Sequence, residues 1–186
     1  KAIETELKDL NFAEVQFQIH FDKLADYTAD GVDDVEFLIS MNPGQPVKPL
    51  AEVASGGELS RTMLAIKTVM ADRDEIETLI FDEIDVGISG RTAQKVSEKM
   101  AVIGRNHQVI CITHLAQIAA QADQHYLIEK TVDGGVTRTE IRKLSEEESI
   151  DELARILGGA EITETVRMSA REMKSMVKSN AVKNKK

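Results

Sequence analysis

Thr78-Leu-Ile-Phe-Asp82-Glu83 is a short, apolar strand-like run that closes on two adjacent carboxylates. Val109-Ile-Cys-Ile112 repeats the unbroken apolar pattern downstream and runs into Thr113-His114. Between them, residues 91–103 place Ala93, Val96, Met100 and Ile103 at helical spacing on one face. Two such strands joined by one helix predict a βαβ unit, with a parallel sheet covered on both faces. The fold class that follows is α/β.

Upstream, residues 58–71 predict a helix presenting Leu59, Met63, Ile66 and Met70 on one face. Before it, all three prolines fall between Pro43 and Pro49, which reads as a loop. Val15, Phe17, Ile19 and Phe21 alternate with polar residues, the pattern of a strand over 12–21 with one buried face. A turn at Asp30-Gly31 leads to a second strand over 35–41, so the two fit an antiparallel hairpin. Ile3, Leu7 and Leu10 make residues 1–10 the end of a helix.

Downstream, a helix near 115–121 precedes a hairpin of strands 126–130 and 136–144 turning at Asp133-Gly134-Gly135. Ser145 and Glu148 match a capping box, and Ile150, Leu153, Ala154 and Leu157 line the helix it starts. Gly158-Gly159 stops that helix, and a last one spans 163–177. No internal repeat and no second domain are evident.

The 186 residues suit one compact domain, and 42% apolar with 30% charged residues argues against wholesale disorder. No apolar run approaches the roughly 18 residues of a membrane span, and the first residues lack a secretory pattern. Cys111 is the only cysteine, which excludes a disulfide scaffold; a cytoplasmic location is expected. Cys111 itself reads as core. A net charge of −9 disfavours a surface that grips nucleic acid all over. From Arg167 onward the balance turns basic, giving either a solvated tail or a local patch.

Three segments carry the chemistry. Ser55-Gly56-Gly57-Glu58 opens directly into a helix, where turned-out backbone N–H groups and the helix dipole suit a phosphate. The same residues also serve as an ordinary N-cap. Asp82, at a strand end, suits Mg²⁺, and Glu83 suits orienting or deprotonating a water; a strand simply entering a polar loop would look the same. His114 suits a hydrogen bond to a phosphate, or a structural one.

In this order the segments resemble the C-terminal half of an ABC-type ATPase head. The match narrows on Ala54-Ser-Gly-Gly-Glu-Leu-Ser-Arg61, Phe81-Asp-Glu-Ile-Asp-Val-Gly-Ile-Ser-Gly-Arg91, Thr113-His-Leu-Ala-Gln-Ile-Ala119 and Leu157-Gly-Gly-Ala-Glu-Ile-Thr-Glu-Thr165. These strings resemble the RecN family, SMC-like bacterial DNA-repair ATPases of double-strand-break recombination, from about Phe12 to Val177. The resemblance implies a C-terminal lobe of an ABC/SMC-type P-loop head, a mostly parallel sheet flanked by helices with antiparallel hairpins. Residues 1–11 would end a coiled coil, 12–180 would form the lobe, and 181–186 a disordered basic tail.

It further implies a signature motif at Ser55, Gly56, Gly57 and Glu58 that caps the γ-phosphate of ATP in trans. Asp82 becomes the metal-side residue of Walker B, Glu83 the catalytic glutamate, and His114 the switch histidine. Asp85, Gly87 and Ser89 take the D-loop, with the contact of Ser89 open. Transporters usually carry Gln where Glu58 stands and Asp where Ser89 stands, so those departures point away from a transporter.

No glycine here is followed by lysine, so the chain has no Gly-Lys-Ser/Thr phosphate loop. In the family that loop lies in the N-terminal half of the head. The implied partners are therefore that N-terminal half carrying Walker A, a second copy through ATP-engaged heads, and DNA, with no membrane; the location implied is cytoplasmic and nucleoid-associated. The cofactors are ATP and Mg²⁺ in the complete protein, and this segment alone would be inactive. Two other readings stay open: a non-catalytic DNA-binding or dimerisation module, and half of a transporter head, against which the coiled-coil-like start argues. Arg61 and Arg91 read as phosphate or DNA contacts or as exposed salt bridges. Met168, Met173 and Met176 read as helix packing.

Overall fold

The computed structural model describes residues 1–12, 14–41, 44–53, 55–70, 75–133, 135–159 and 161–183. It divides into two compact units, Lys1–Thr113 and His114–Lys186, where one domain was expected. The reason is that the second unit builds its own core, from Ala116, Ala119, Ala120, Ile150, Leu153, Ala154 and Ala170.

In the first unit, α1 (Ala2–Asp9) precedes β1 (Gln16–Thr28) and β2 (Gly31–Ser40), which pair antiparallel around the expected turn. β1 runs seven residues past its expected end. A third strand, β3 (Lys48–Pro49), pairs with β2 inside the stretch expected to be a loop. Proline fits there because an edge strand of two residues needs few donors. Asn42 and Pro43 lie outside the described residues. The alternation of β1 does not make a buried face: Val15 is buried, but Ile19 and Phe21 are exposed, as are their cross-strand partners Phe37 and Val35.

A short α2 (Leu50–Val53) leads to α3 (Gly56–Met70). Its expected face is largely the wrong one. Leu59, Met63 and Met70 are exposed, and the buried side carries Gly57, Arg61, Leu64 and Ala65 beside Ile66. The helix is apolar on both sides, so periodicity alone did not choose between them.

β4 (Thr78–Phe81) and β5 (Gln108–Cys111) pair in parallel, with Phe81 opposite Cys111, and α4 (Gly90–Ile103) crosses between them. All four expected residues of α4 are buried. The parallel part is this single pair, smaller than the mostly parallel sheet expected; the other pairings among the described strands are antiparallel. Among the described residues, only one face is covered. Phe81 is buried, while Ile80, Ile110 and Ile112 stand exposed at 67%, 44% and 49% because one crossover helix supplies one layer.

In the second unit, α5 (Ala116–Ala119) precedes the antiparallel hairpin of β6 (Tyr126–Asp133) and β7 (Val136–Lys143), then α6 (Glu146–Gly158) and α7 (Glu164–Lys183). The capping box forms as expected: Glu148 N–H donates to Ser145 Oγ, and Ser145 N–H donates to Glu148 Oε2 at 2.8 Å. Gly159 ends α6 with a φ of 70°, a left-handed value. Leu157, expected in the packed face, is exposed. Met173 packs against the core, whereas Met168 and Met176 are exposed, so only one of the three methionines packs. α7 continues to Lys183, three residues into the expected tail, and residues 184–186 lie outside those described. No helix among the described residues is long and apolar enough to cross a membrane.

Candidate functional site

The start of α3 and the end of β4 meet in the first unit. Gly56 begins α3, and a side chain there would run into the Glu83 carboxylate. At Gly57 a Cβ would lie 2.8 Å from the Glu83 carbonyl oxygen, 3.1 Å from Val86 Cβ and 3.2 Å from Arg61 Nη1. The two glycines therefore admit the loop that follows the strand. Glu83 itself has a φ of 57°, an uncommon left-handed backbone for a non-glycine residue.

Ser55 precedes the helix, but its capping differs from the expected pattern. Its hydroxyl and its backbone N–H both donate to Glu58 Oε2, at 2.7 and 2.9 Å. Those bonds, the hydroxyl first, hold the Glu58 carboxyl below the usual range. The carboxylate thus supplies the acceptor for the first N–H, and the Ser55 hydroxyl is a donor held in place. Ala54 lies outside the described residues.

Asp82 is exposed at the strand end, where Oδ1 accepts the Glu83 N–H at 2.9 Å. Glu83 is exposed beside it. Among the described residues, no cluster of three or more His, Cys, Asp or Glu side chains forms a cation cage. A single strand-end carboxylate suits Mg²⁺ only if phosphate oxygens and water complete the shell, which is how that ion is commonly held.

Asp85 lies 3% exposed and its Oδ2 accepts from Thr113 Oγ1 at 2.6 Å, joining the loop after β4 to the residue before His114. Gly87, with a φ of 75°, and Ser89 are both exposed, and Ser89 is the N-cap residue of α4. His114 opens the second unit, exposed in the bend between β5 and α5. Cys111 is partly buried, and burial with nearby Asp85 and Asp82 pushes its thiol up to about 12, so it is not a thiolate at neutral pH.

Arg61 is the residue that sequence reasoning misplaced. It is neither a free anion contact nor an exposed salt bridge but 5% exposed inside the unit. Its Nη1 donates to the carbonyls of Ile84 and Val86, at 3.3 and 2.8 Å. Its neighbour Ser60 donates to the carbonyl of Asp82 at 2.7 Å. No sequence signal marked Arg61, because α3 is apolar on both sides and its buried side is set by packing. Arg91 is exposed.

No family model matches the chain. It is 46% identical over 177 residues, 93% of its length, to the DNA repair protein RecN of Halalkalibacterium halodurans, of which it covers 31%. Identity is 43% over 174 residues with the DNA repair protein RecN of Vibrio cholerae, again 93% of this chain and 31% of the relative. With that of Treponema pallidum it is 52% over 143 residues, 77% of this chain and 25% of the relative. The chain thus spans less than a third of these relatives' length, in their C-terminal part. Among solved structures it is similar to an Smc head domain with a coiled coil and joint derived from Pyrococcus yayanosii, with a TM-score of 0.55, 26% identity, and coverage of 82% of this chain and 28% of that one. A second, from Pyrococcus furiosus, is an Smc head domain with an extended coiled coil bound to the C-terminal domain of ScpA (TM-score 0.51, 24% identity, 84% and 38% covered) and speaks to the fold alone. The architecture is that of a C-terminal lobe of an ABC/SMC-type head.

Proposed function

The chain belongs to the RecN family, matching its C-terminal part, and from that premise we propose that it is one lobe of an ATP-hydrolysing head in a DNA double-strand-break repair protein. The observation that carries the reading is the contact between the Ser55-Gly56-Gly57 helix start and the Asp82-Glu83 strand end. A helix N-terminus suited to a phosphate and a carboxylate suited to water are thereby built into one rigid corner.

In this reading Ser55, Gly56, Gly57 and Glu58 cap a γ-phosphate held by a second copy of the head. Asp82 holds Mg²⁺ with water and phosphate oxygens, and Glu83 orients and accepts a proton from the attacking water. Asp85, Gly87 and Ser89 form the loop that faces the second head, and His114 hydrogen-bonds the γ-phosphate. Bound ATP and Mg²⁺ supply the transferable phosphoryl group and its charge neutralisation; the chain supplies positioning and electrostatics. The phosphate loop comes from the N-terminal half of the same head. The open face of Ile80, Ile110 and Ile112 and the outer apolar side of α3 support a partner of that kind. Two heads then close on nucleotide and part after hydrolysis, while DNA is held by the complete protein in the cytoplasm, at the nucleoid. Residues 1–11 end the coiled coil and 12–180 form the lobe.

Glu83→Gln in the complete polypeptide tests this. ATP binding and head dimerisation are expected to persist, with turnover lowered on the order of 10²-fold or more, as expected for loss of a general base. Steady-state hydrolysis beside nucleotide binding reads both. Turnover at the unsubstituted rate would remove Glu83 from the reaction.

A further inference from the structure

Glu83 holds a left-handed backbone in a loop whose carbonyls at Asp82, Ile84 and Val86 are tied to adjacent residues of one helix. Ser60 Oγ donates to the carbonyl of Asp82, immediately before it, and Arg61 Nη1 donates to the carbonyls of Ile84 and Val86, after it. A sparsely populated conformation persists where its surroundings over-determine it, and here the surroundings are α3.

Arg61 is a costly way to stabilise a fold. Its guanidinium is almost wholly buried, and its Nε has no hydrogen-bond partner. The carboxylate that acts on it is Glu58, one turn earlier and already bonded to Ser55; burial is the dominant influence, lowering the pKa of Arg61. Its central carbon also lies 5.5 Å from the centre of the Phe12 ring. Replacing a buried charged cluster by packed apolar side chains is often neutral for stability, and here the cost of removing the cation is the donor lost to the Ile84 and Val86 carbonyls. Its two carbonyl contacts therefore fix geometry, and the geometry they fix is that of the loop carrying Glu83.

We propose that Ser60 and Arg61 are positioning residues for Glu83, locking the strand end to the helix that begins at Ser55-Gly56-Gly57 so that the phosphate-capping start and the water-orienting carboxylate move as one body. This rests on the ATPase reading above. It follows that α3 carries at its start a contact to one nucleotide and, five residues on, the brace for the residue that acts on the other.

The test uses the complete polypeptide, comparing Arg61→Met, Arg61→Lys and Ser60→Ala with Glu83→Gln. Arg61→Met is expected to lower Tm by no more than the few degrees that its lost carbonyl bonds account for and to keep KM for ATP within about twofold, while kcat falls by on the order of 10²-fold, the scale of an ångström's misplacement. Arg61→Lys does not rescue, because one ammonium cannot reproduce a planar fork reaching two carbonyls. Ser60→Ala, at an exposed hydroxyl, lowers kcat by about tenfold, one lost tie of roughly 1.4 kcal/mol. Added to Glu83→Gln, Arg61→Met is expected to cause no further loss of residual hydrolysis, since both act through one group. Unchanged kcat in Arg61→Met and Ser60→Ala beside an inactive Glu83→Gln overturns the positioning role and leaves the ATPase reading intact. So does a kcat loss that only follows a fall in Tm, or that multiplies with Glu83→Gln. If Arg61→Met does not fold, Ser60→Ala decides by the same criteria. Absent hydrolysis in the unsubstituted protein, or full activity in Glu83→Gln, overturns both.

Discussion

Gly56 and Gly57 are neighbours in the first turn of α3, yet alanine at each should do different things. An ordinary Gly→Ala change within a helix gains about 1 kcal/mol. At Gly56 the added methyl meets the far end of the Glu83 side chain, which can swing aside. Gly56→Ala should therefore melt close to the unsubstituted protein and, in the complete polypeptide, lose turnover because the carboxylate has moved. At Gly57 the methyl meets the backbone carbonyl of Glu83 at 2.8 Å, and that carbonyl, bonded to Val86 N–H and lying between the Asp82 and Ile84 carbonyls that α3 holds, has little room to step back. Gly57→Ala should cost about 1–3 kcal/mol, the range of overpacking, in a urea titration. Equal stabilities for the two variants would show that the loop is not held as described. That the Gly-Gly pair opens a helix and that Asp82 and Glu83 follow a strand was legible from sequence because residue type and order sufficed. That Ser55 donates to Glu58, and that Arg61 points inward, was not, because both depend on which side of α3 faces the loop.

Among the elements, α4 and α6 show what periodicity can settle. Ala93, Val96, Met100 and Ile103 alternate with charged and polar residues, so only one side of α4 can be buried, and it is. α3 carries Leu59, Met63 and Met70 on one side and Leu64 and Ala65 on the other, and a sequence with two apolar sides fixes the helix but not its rotation. The start of α6 was legible because a capping box is local. Its Glu148 carboxyl is held below the ordinary range chiefly by the Ser145 N–H, then by the Ser145 hydroxyl and Arg142. A carboxyl depressed on folding contributes stability above its unfolded value, near 4.5, and that contribution is lost as the pH falls through the lower folded value. The amide protection factors of the first turn of α6, corrected for the intrinsic pH dependence of exchange, should therefore fall on acidification below about pH 4.5, the ordinary Glu range. Glu148→Gln should flatten that dependence while leaving exchange in α4 as it was. A first turn equally protected in both proteins at neutral pH, where the Glu148 carboxylate is charged, would mean the box does not hold the helix end.

The first unit leaves apolar side chains exposed on both of its sheets. Ile80 pairs with Ile110 on the face of the parallel pair that no described helix covers, and Ile112 follows on. On the β1–β2 sheet, Ile19 faces Phe37 and Phe21 faces Val35, all four exposed. Exposed apolar faces on both sheets of one unit, in a chain spanning less than a third of its relatives, fit a lobe whose second layer is supplied by the rest of the polypeptide. The −9 charge disfavours a surface that grips nucleic acid all over and leaves only the basic stretch from Arg167 as a local patch. The test is reconstitution. This chain alone should show no ATP hydrolysis, the N-terminal portion alone little, and the two co-expressed should restore it. Ile80→Lys places a charge on a side chain 67% exposed, so the isolated chain should keep its helical signal and melting behaviour. In the mixture the same charge would be buried without a partner, at a cost of several kcal/mol, and both co-purification and hydrolysis should be lost. Hydrolysis by this chain alone would mean that it needs no second layer. Co-purification undisturbed by Ile80→Lys would place the junction elsewhere, and DNA binding by the isolated chain without activity in the mixture would favour a non-catalytic module.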